Sequence, residues 1–203
     1  MKSNKSGMLA LAVFFSLLVT SAAFALEKSQ TGFLTNYAQL RIDEDGAARY
    51  VNPAKSLAEY NKFLVEPVAV FLPEGKMIYP GDLQALAQYF HDKAVQELRA
   101  AGYQVVGQPG PDVLRVRVAL TDVVAAKKAM NIHPLTKITG IGTGGAAMEA
   151  EAVDSVTGER IIAVVDAKSG DRMSMVEGLD TYGHAKQAMD QWVARFVQRL
   201  KSS

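Results

Sequence analysis

Between Val113 and Val124 the chain alternates apolar and polar side chains: Leu114, Val116, Val118 and Leu120 fall on one side, Arg115 and Arg117 on the other. Such a segment belongs in a sheet with one buried face, because slipping the register by one residue carries every apolar group to the wrong side. Another layer must cover that face, and two stretches have the pattern to do so. After Asp82, which can cap a first turn, Leu83, Leu86, Phe90, Ala94 and Leu98 recur at three and four residues until Gly102 stops the helix. From about Thr181 to Leu200 a second stripe runs through Ala185, Met189, Trp192, Phe196 and Leu200, with Lys186, Asp190 and Arg199 outside it. The lone Trp192 is read as a core anchor.

The remaining strands follow from shorter signals. Leu64 to Leu72 is rich in Val, and Pro67 places it at a strand start, bulge or edge because proline offers no backbone donor. Tyr103 to Val106 is a short strand before the turn Gln108-Pro109-Gly110-Pro111. Met148 to Val153 and Arg160 to Asp166 form a hairpin across Asp154-Ser155-Val156-Thr157-Gly158-Glu159, where Asp154 can bond forward to the turn and Gly158 can take positive φ. If the two long strands are antiparallel neighbours, Glu149 and Glu151 sit opposite the Arg115 and Arg117 face. As exposed pairs these would contribute about 0.2–1 kcal/mol each, and the face reads equally well as merely solvated. The order β-α-β-β-loop-β-β-α describes an α+β fold, a mostly antiparallel sheet with two main helices packed on one face. Residues 26–62 carry no strong period and read as an N-terminal extension packing on the single α+β domain of 63–203. Its contacts would be Phe33, Leu34, Tyr37 and Leu40, spaced as one short helical face, with a second short helix over Ser56 to Lys62.

The first 25 residues read as a secretory signal peptide. Lys2 and Lys5 precede the apolar run Met8 to Val19, and Ala23-Phe24-Ala25 supplies the small-x-small pattern before cleavage, leaving Leu26 first. A run of 12 residues is short against the roughly 20 that a bilayer-spanning helix needs. The leader holds two of the 22 basic residues and none of the 21 acidic ones, so the remainder has 20 against 21 and nets −1, with no concentrated basic face for nucleic acid. Cysteine is absent, which excludes disulfides, thiolate metal sites, a cysteine nucleophile and lipid attachment at a leader cysteine. Stability must come from core burial alone.

Gly32-Phe33-Leu34 with Tyr37 and Leu40, Tyr50-Val51 with Pro53, Tyr60, Pro67, Pro109-Gly110-Pro111 with Leu114, and Asp154 with Thr157-Gly158-Glu159 stand in an order and spacing that resemble the bacterial envelope family described as domain of unknown function 3313. The resemblance runs through to Asp190 and Trp192. It implies an envelope location and a fold, without an activity. Members of that family are commonly lipoproteins, and this chain departs from them in lacking the leader cysteine. The hairpin Val153 to Ile161, between a glycine-rich loop and a terminal helix, is also similar at the level of fold to the curli-secretion channel family. Function has to be argued from a site rather than from shared architecture.

Candidate chemistry is sparse. Gly140-Ile141-Gly142-Thr143-Gly144-Gly145 matches G-x-G-x-x-G with Asp166 beyond it, but Glu149 falls where the following helix should bury an apolar residue, and no Lys-Ser or Lys-Thr follows. His91, His133 and His184 are scattered without ligand spacing. Asp154, Glu159, Asp166 and Asp171 could form paired carboxylates, yet turns attract Asp for local bonding, and neither a calcium-loop pattern nor a G-x-S-x-G elbow is present. The long loop Ala125 to Ala147 could offer a partner the apolar edge of Ile132, His133, Leu135, Ile138 and Ile141.

The sequence therefore points to an exported, non-enzymatic binding or accessory protein, periplasmic or outer-membrane-associated and not anchored through cysteine. It would engage an unidentified envelope protein or component and need no cofactor. The alternatives are a small-ligand-binding or hydrolytic enzyme with a cleft of carboxylates and histidines, and a self-associating structural subunit of the envelope.

Overall fold

A computed structural model describes residues 30–72, 78–124, 145–169 and 181–202. Residues up to Gly32 form one unit and Phe33–Ser203 another, to which every strand and helix named below belongs. The strands are β1 (Arg41–Ile42), β2 (Ala48–Val51), β3 (Lys62–Val65), β4 (Ala69–Val70), β5 (Gln104–Val105), β6 (Val113–Val124), β7 (Gly145–Asp154) and β8 (Arg160–Ser169). The helices are α1 (Pro80–Ala100) and α2 (Gly183–Lys201), with a 3-10 turn at Leu57–Glu59.

The eight strands form one open sheet in the order β1-β2-β8-β7-β6-β3-β5, with β4 also on β6. The long strands and the β1–β2 edge pair antiparallel, while β3 runs parallel to β5 and β6, and β4 runs parallel to β6. The fold is thus α+β with a mixed, largely antiparallel sheet. The parallel pair β3–β5 follows from α1, which carries the chain back between them as a helical crossover.

Alternation on β6 extends across the sheet as rows of side chains. Val65, Val116, Ala152, Ile162 and Val51 align by register, as do Val118, Ala150, Val164 and Arg49 in the next row. Both helices share a core with this face: Leu86, Phe90 and Leu98 of α1, and Ala185, Ala188, Met189, Trp192, Val193, Val197 and Leu200 of α2, are buried with it. Trp192 stacks at a tilt on Phe90, centroid to centroid 5.9 Å, and donates Nε1–H to Asp166 Oδ2 at 2.9 Å.

Several local expectations change. The stretch from Leu64 to Leu72 is not one continuous strand: β3 ends at Val65 and β4 begins at Ala69, because Pro67 between them cannot donate to β6. Asp82 does not cap α1. Tyr79 occupies that position without a side-chain bond, and Asp82 instead accepts from Tyr182 Oη at 3.2 Å. At the other end Gly102 (φ +90°) closes the helix, with Gly102 N–H donating to Arg99 O and Tyr103 N–H to Leu98 O, each at 3.0 Å. Residues 33–40 are not helical but form an irregular strap, of which Leu34 and Leu40 are buried. Residues 41–51 supply two strands that short length and charged Arg41 and Arg49 concealed; the Asp45-Gly46 pair, with Gly46 at φ +82°, was the hairpin signal available.

Candidate functional site

The second face of the sheet carries Arg117, Glu149 and Glu151, and its two carboxylates are not exposed. Glu149 is 0 % and Glu151 1 % exposed, because the strap of residues 33–40 lies across them. Arg117 stands directly opposite Glu151 in the β6–β7 register, as antiparallel pairing requires, whereas Arg115 meets Val153. Arg117 Nη1 donates to Glu151 Oε1 at 2.5 Å, and Thr35 donates to Glu151 Oε2 through its backbone N–H at 3.2 Å and its hydroxyl at 3.0 Å. Tyr37 Oη donates to Glu149 Oε2, and the Arg117 guanidinium lies 4.9 Å from the centroid of Phe33. Charged residues that the alternation placed toward water thus form a polar layer joining strap to sheet, with the two carboxylates buried and Arg117 half-buried at its edge, where Glu66 Oε2 also lies 3.5 Å from its Nε.

The helix-facing side holds a cleft of about 980 Å³ between the sheet and the two helices. Its floor is the pair of rows through Val116–Ala152–Ile162 and Val118–Ala150–Val164; its roof comes from Phe90, Ala94 and Leu98 of α1 and Trp192, Val193 and Phe196 of α2. The volume exists because small residues stand at its centre. Ala150 and Ala152 are adjacent inward positions on β7, and Ala94 occupies the middle of the α1 stripe, where larger side chains would close the gap. The exposed residues 53–56 on one side and Gln198 and Ser202 on the other frame its mouth.

Charge collects at this opening. Arg49, Lys55, Arg195 and Arg199 line the cleft, as do Glu59 and Asp166. Asp45 bridges two of the arginines, accepting from Arg49 Nη2 at 2.9 Å and from Arg195 Nη1 at 2.8 Å. The hydrogen bond from Arg49 holds the Asp45 carboxyl well below the usual carboxylate range, and the same contact raises Arg49 above its ordinary value. Asp166, buried beneath Trp192, also has Lys168 Nζ at 3.6 Å and Arg195 Nη2 at 3.8 Å.

The family model described as "Protein of unknown function (DUF3313)" matches residues 29–196. The chain belongs to this family. Nothing among curated proteins matches it. Among solved structures, the PelC dodecamer from Paraburkholderia phytofirmans is 12 % identical, with 71 % of this chain and 96 % of that chain covered and a TM-score of 0.41. The hypothetical protein CT253 from Chlamydia trachomatis is 11 % identical over 71 % of this chain and 99 % of its own, at 0.44. Lipoprotein GNA1162 from Neisseria meningitidis is 12 % identical over 70 % and 99 %, at 0.40.

Within this DUF3313 chain the sequence candidates are dispersed. Asp154 and Glu159 close the β7–β8 turn: Asp154 Oδ1 accepts from Val156 N at 3.0 Å, Thr157 N at 2.8 Å and Thr157 Oγ1 at 3.0 Å, while Gly158 takes φ +73°. These bonds, led by the Thr157 backbone, lower the Asp154 pKa, and Asp154 Oδ2 accepts from Tyr60 Oη at 3.1 Å. Asp166 pairs with Met148 in the β7–β8 register and so lies on the opposite side of the sheet from Glu149 and Glu151. His91 is on α1 beside Asp92, and His184 is buried in the first turn of α2. Among the described residues no group of three His, Asp or Glu could hold a metal ion, and no helix is long and apolar enough to cross a membrane. Gly145 opens strand β7 rather than a helix, so the G-x-G-x-x-G match lacks the helix N-terminus on which pyrophosphate would rest. Ala23, Ala25, Leu26, Ile132, His133, Leu135, Ile138, Ile141 and Asp171 lie outside the described residues.

Sequence reasoning missed the cleft. Its signal was the run of alanines at core positions of β7 and α1, which reads as ordinary core until the layers are superposed.

Proposed function

We propose that this protein is an exported, envelope-associated binding or accessory protein that holds an apolar ligand in the cleft between sheet and helices, without catalysing a reaction on it. The apolar cleft of about 980 Å³ carries this reading. Ligand sites are concave, mostly apolar and of roughly 300–1,000 Å³, with a few polar groups at defined places. A well-packed interior has few voids larger than a water molecule. The carboxylates and histidines that would serve catalysis stand on separate elements, which favours binding over turnover. The amino-terminal leader supports export.

Titration with Nile red, an uncharged dye that brightens in apolar surroundings, tests the cleft directly. Saturable binding at one dye per chain is expected, together with its loss, by tenfold or more in Kd, in Ala150→Phe and Ala94→Phe, each of which fills the space from a different layer. Thermal unfolding of both variants checks that they remain folded. Absence of saturable binding, or equal binding by the folded, filled variants, would overturn the reading.

A further inference from the structure

The mouth of the cleft specifies more than an apolar ligand. We infer that the occupant is a single-chain acidic amphiphile, a long-chain carboxylate whose hydrocarbon tail lies along the alanine floor while its headgroup meets the arginines at the opening. This deepens the proposed function and rests on the cleft being a binding site.

Two observations carry it. The lining is polarised: Val116, Val118, Ala150 and Ala152 of the sheet form an apolar floor, since Glu151 turns its side chain to the opposite face and bonds Thr35 and Arg117 there, while Asp166, which faces inward from β8, is buried and accepts from Trp192. Arg49, Lys55, Arg195 and Arg199 stand toward the margin with Glu59, while Asp43 pairs with Arg49 and Asp45 draws Arg49 and Arg195 together at that end of the cleft. Arg195 and Arg199 are one helical turn apart on α2, so they project along the same side of the helix. The carboxyl end of α2 opposes an anion with a dipole equivalent to about half a charge, which two guanidinium groups outweigh.

Arg195 is suited to the headgroup. A guanidinium has five N–H donors in a planar fork that matches a carboxylate. Arg195 holds Asp45 at 2.8 Å through Nη1 and approaches Asp166 at 3.8 Å through Nη2, which leaves donors for a further carboxylate. The Asp45 bridge fixes Arg195 and Arg49 beside each other before a ligand arrives. A ligand with no negative group would lie in the same floor but gain nothing from this arrangement.

The test is competition with Nile red by oleate and by methyl oleate, which share a chain and differ in charge. Oleate is expected to displace the dye at least tenfold more effectively. Each two-carbon shortening of the saturated carboxylate series should weaken displacement roughly tenfold, because each methylene withdrawn from water contributes about equally. In Arg195→Gln with Arg199→Gln the ratio of oleate to methyl oleate displacement should fall severalfold, with thermal unfolding of the variant showing that it is folded. Equal displacement by oleate and its ester, or an unchanged preference in the double variant, would overturn the headgroup assignment while leaving the cleft reading intact. Failure of the dye itself to bind would remove both.

Discussion

Asp154 shows how much one side chain can organise. It accepts three bonds from the turn that follows and one from Tyr60 across the molecule, and its pKa is lowered mainly by the Thr157 backbone N–H. A carboxyl with a depressed folded pKa contributes stability that is fully present above its unfolded value, about 4, and lost as pH falls through the folded value. Asp154→Asn keeps an acceptor at the same place but cannot carry the charge. It should be less stable than wild type by about 1 kcal/mol at pH 7, with the difference shrinking below pH 4 as the wild-type carboxyl protonates. Urea unfolding of both proteins at a series of pH values measures this, and a gap that stays constant down to pH 2 would contradict it. This turn was legible from Asp154, Thr157 and Gly158 alone, because its bonds run between near neighbours in the chain. Glu149 and Glu151 were not legible in the same way: their alternation fixes which face they occupy, while the strap that buries them comes from more than 100 residues earlier, as in the separation of 116 between Thr35 and Glu151.

At the scale of elements, the strap of residues 33–40 and strands β6 and β7 form one unit through those carboxylates. Arg160 adds a second tie, donating Nη2–H to Gln39 Oε1 at 2.6 Å and Nη1–H to Asn36 O. Removing one partner of a buried ion pair leaves an uncompensated charge at a cost of about 3–5 kcal/mol, whereas replacing both by apolar groups is often close to neutral. Arg117→Met should therefore destabilise the protein by roughly that amount, and Arg117→Met with Glu151→Leu should recover most of the loss. Equilibrium denaturation of the two single variants and the double closes the cycle; a loss below about 1 kcal/mol in Arg117→Met would mean that the strap does not seal Glu151 in solution. The elements with sustained periods, α1, α2, β6 and the β7–β8 hairpin, were legible because each writes its own burial. The two-residue β1, β4 and β5 were not, since so few residues cannot display a period and their pairing depends on the strand beside them.

Across the whole molecule the cleft divides the core unequally. Helix α2 buries nine residues, among them Met189 and Trp192, whereas α1 of similar length buries only Leu86, Phe90 and Leu98 and roofs the open space with Ala94. Local opening free energy follows apolar contact, so α1 should open below the global unfolding limit, while α2 and the paired strands β6, β7 and β8 exchange only with it. This inequality is invisible in the sequence, where both stripes repeat at three and four residues; it arises from where the helices sit, α2 over β7 and β8 in the middle of the sheet and α1 toward β3, β4 and the edge strand β5. Native-state hydrogen exchange read by mass spectrometry resolves the two helices as separate peptides. Amides of residues 83–98 are expected to exchange at least tenfold faster than those of 186–198, and a bound amphiphile should narrow that ratio by supplying α1 with the apolar surface it lacks. Equal protection of the two helices without ligand would mean that the cleft is closed in solution, with α1 packed as fully as its partner.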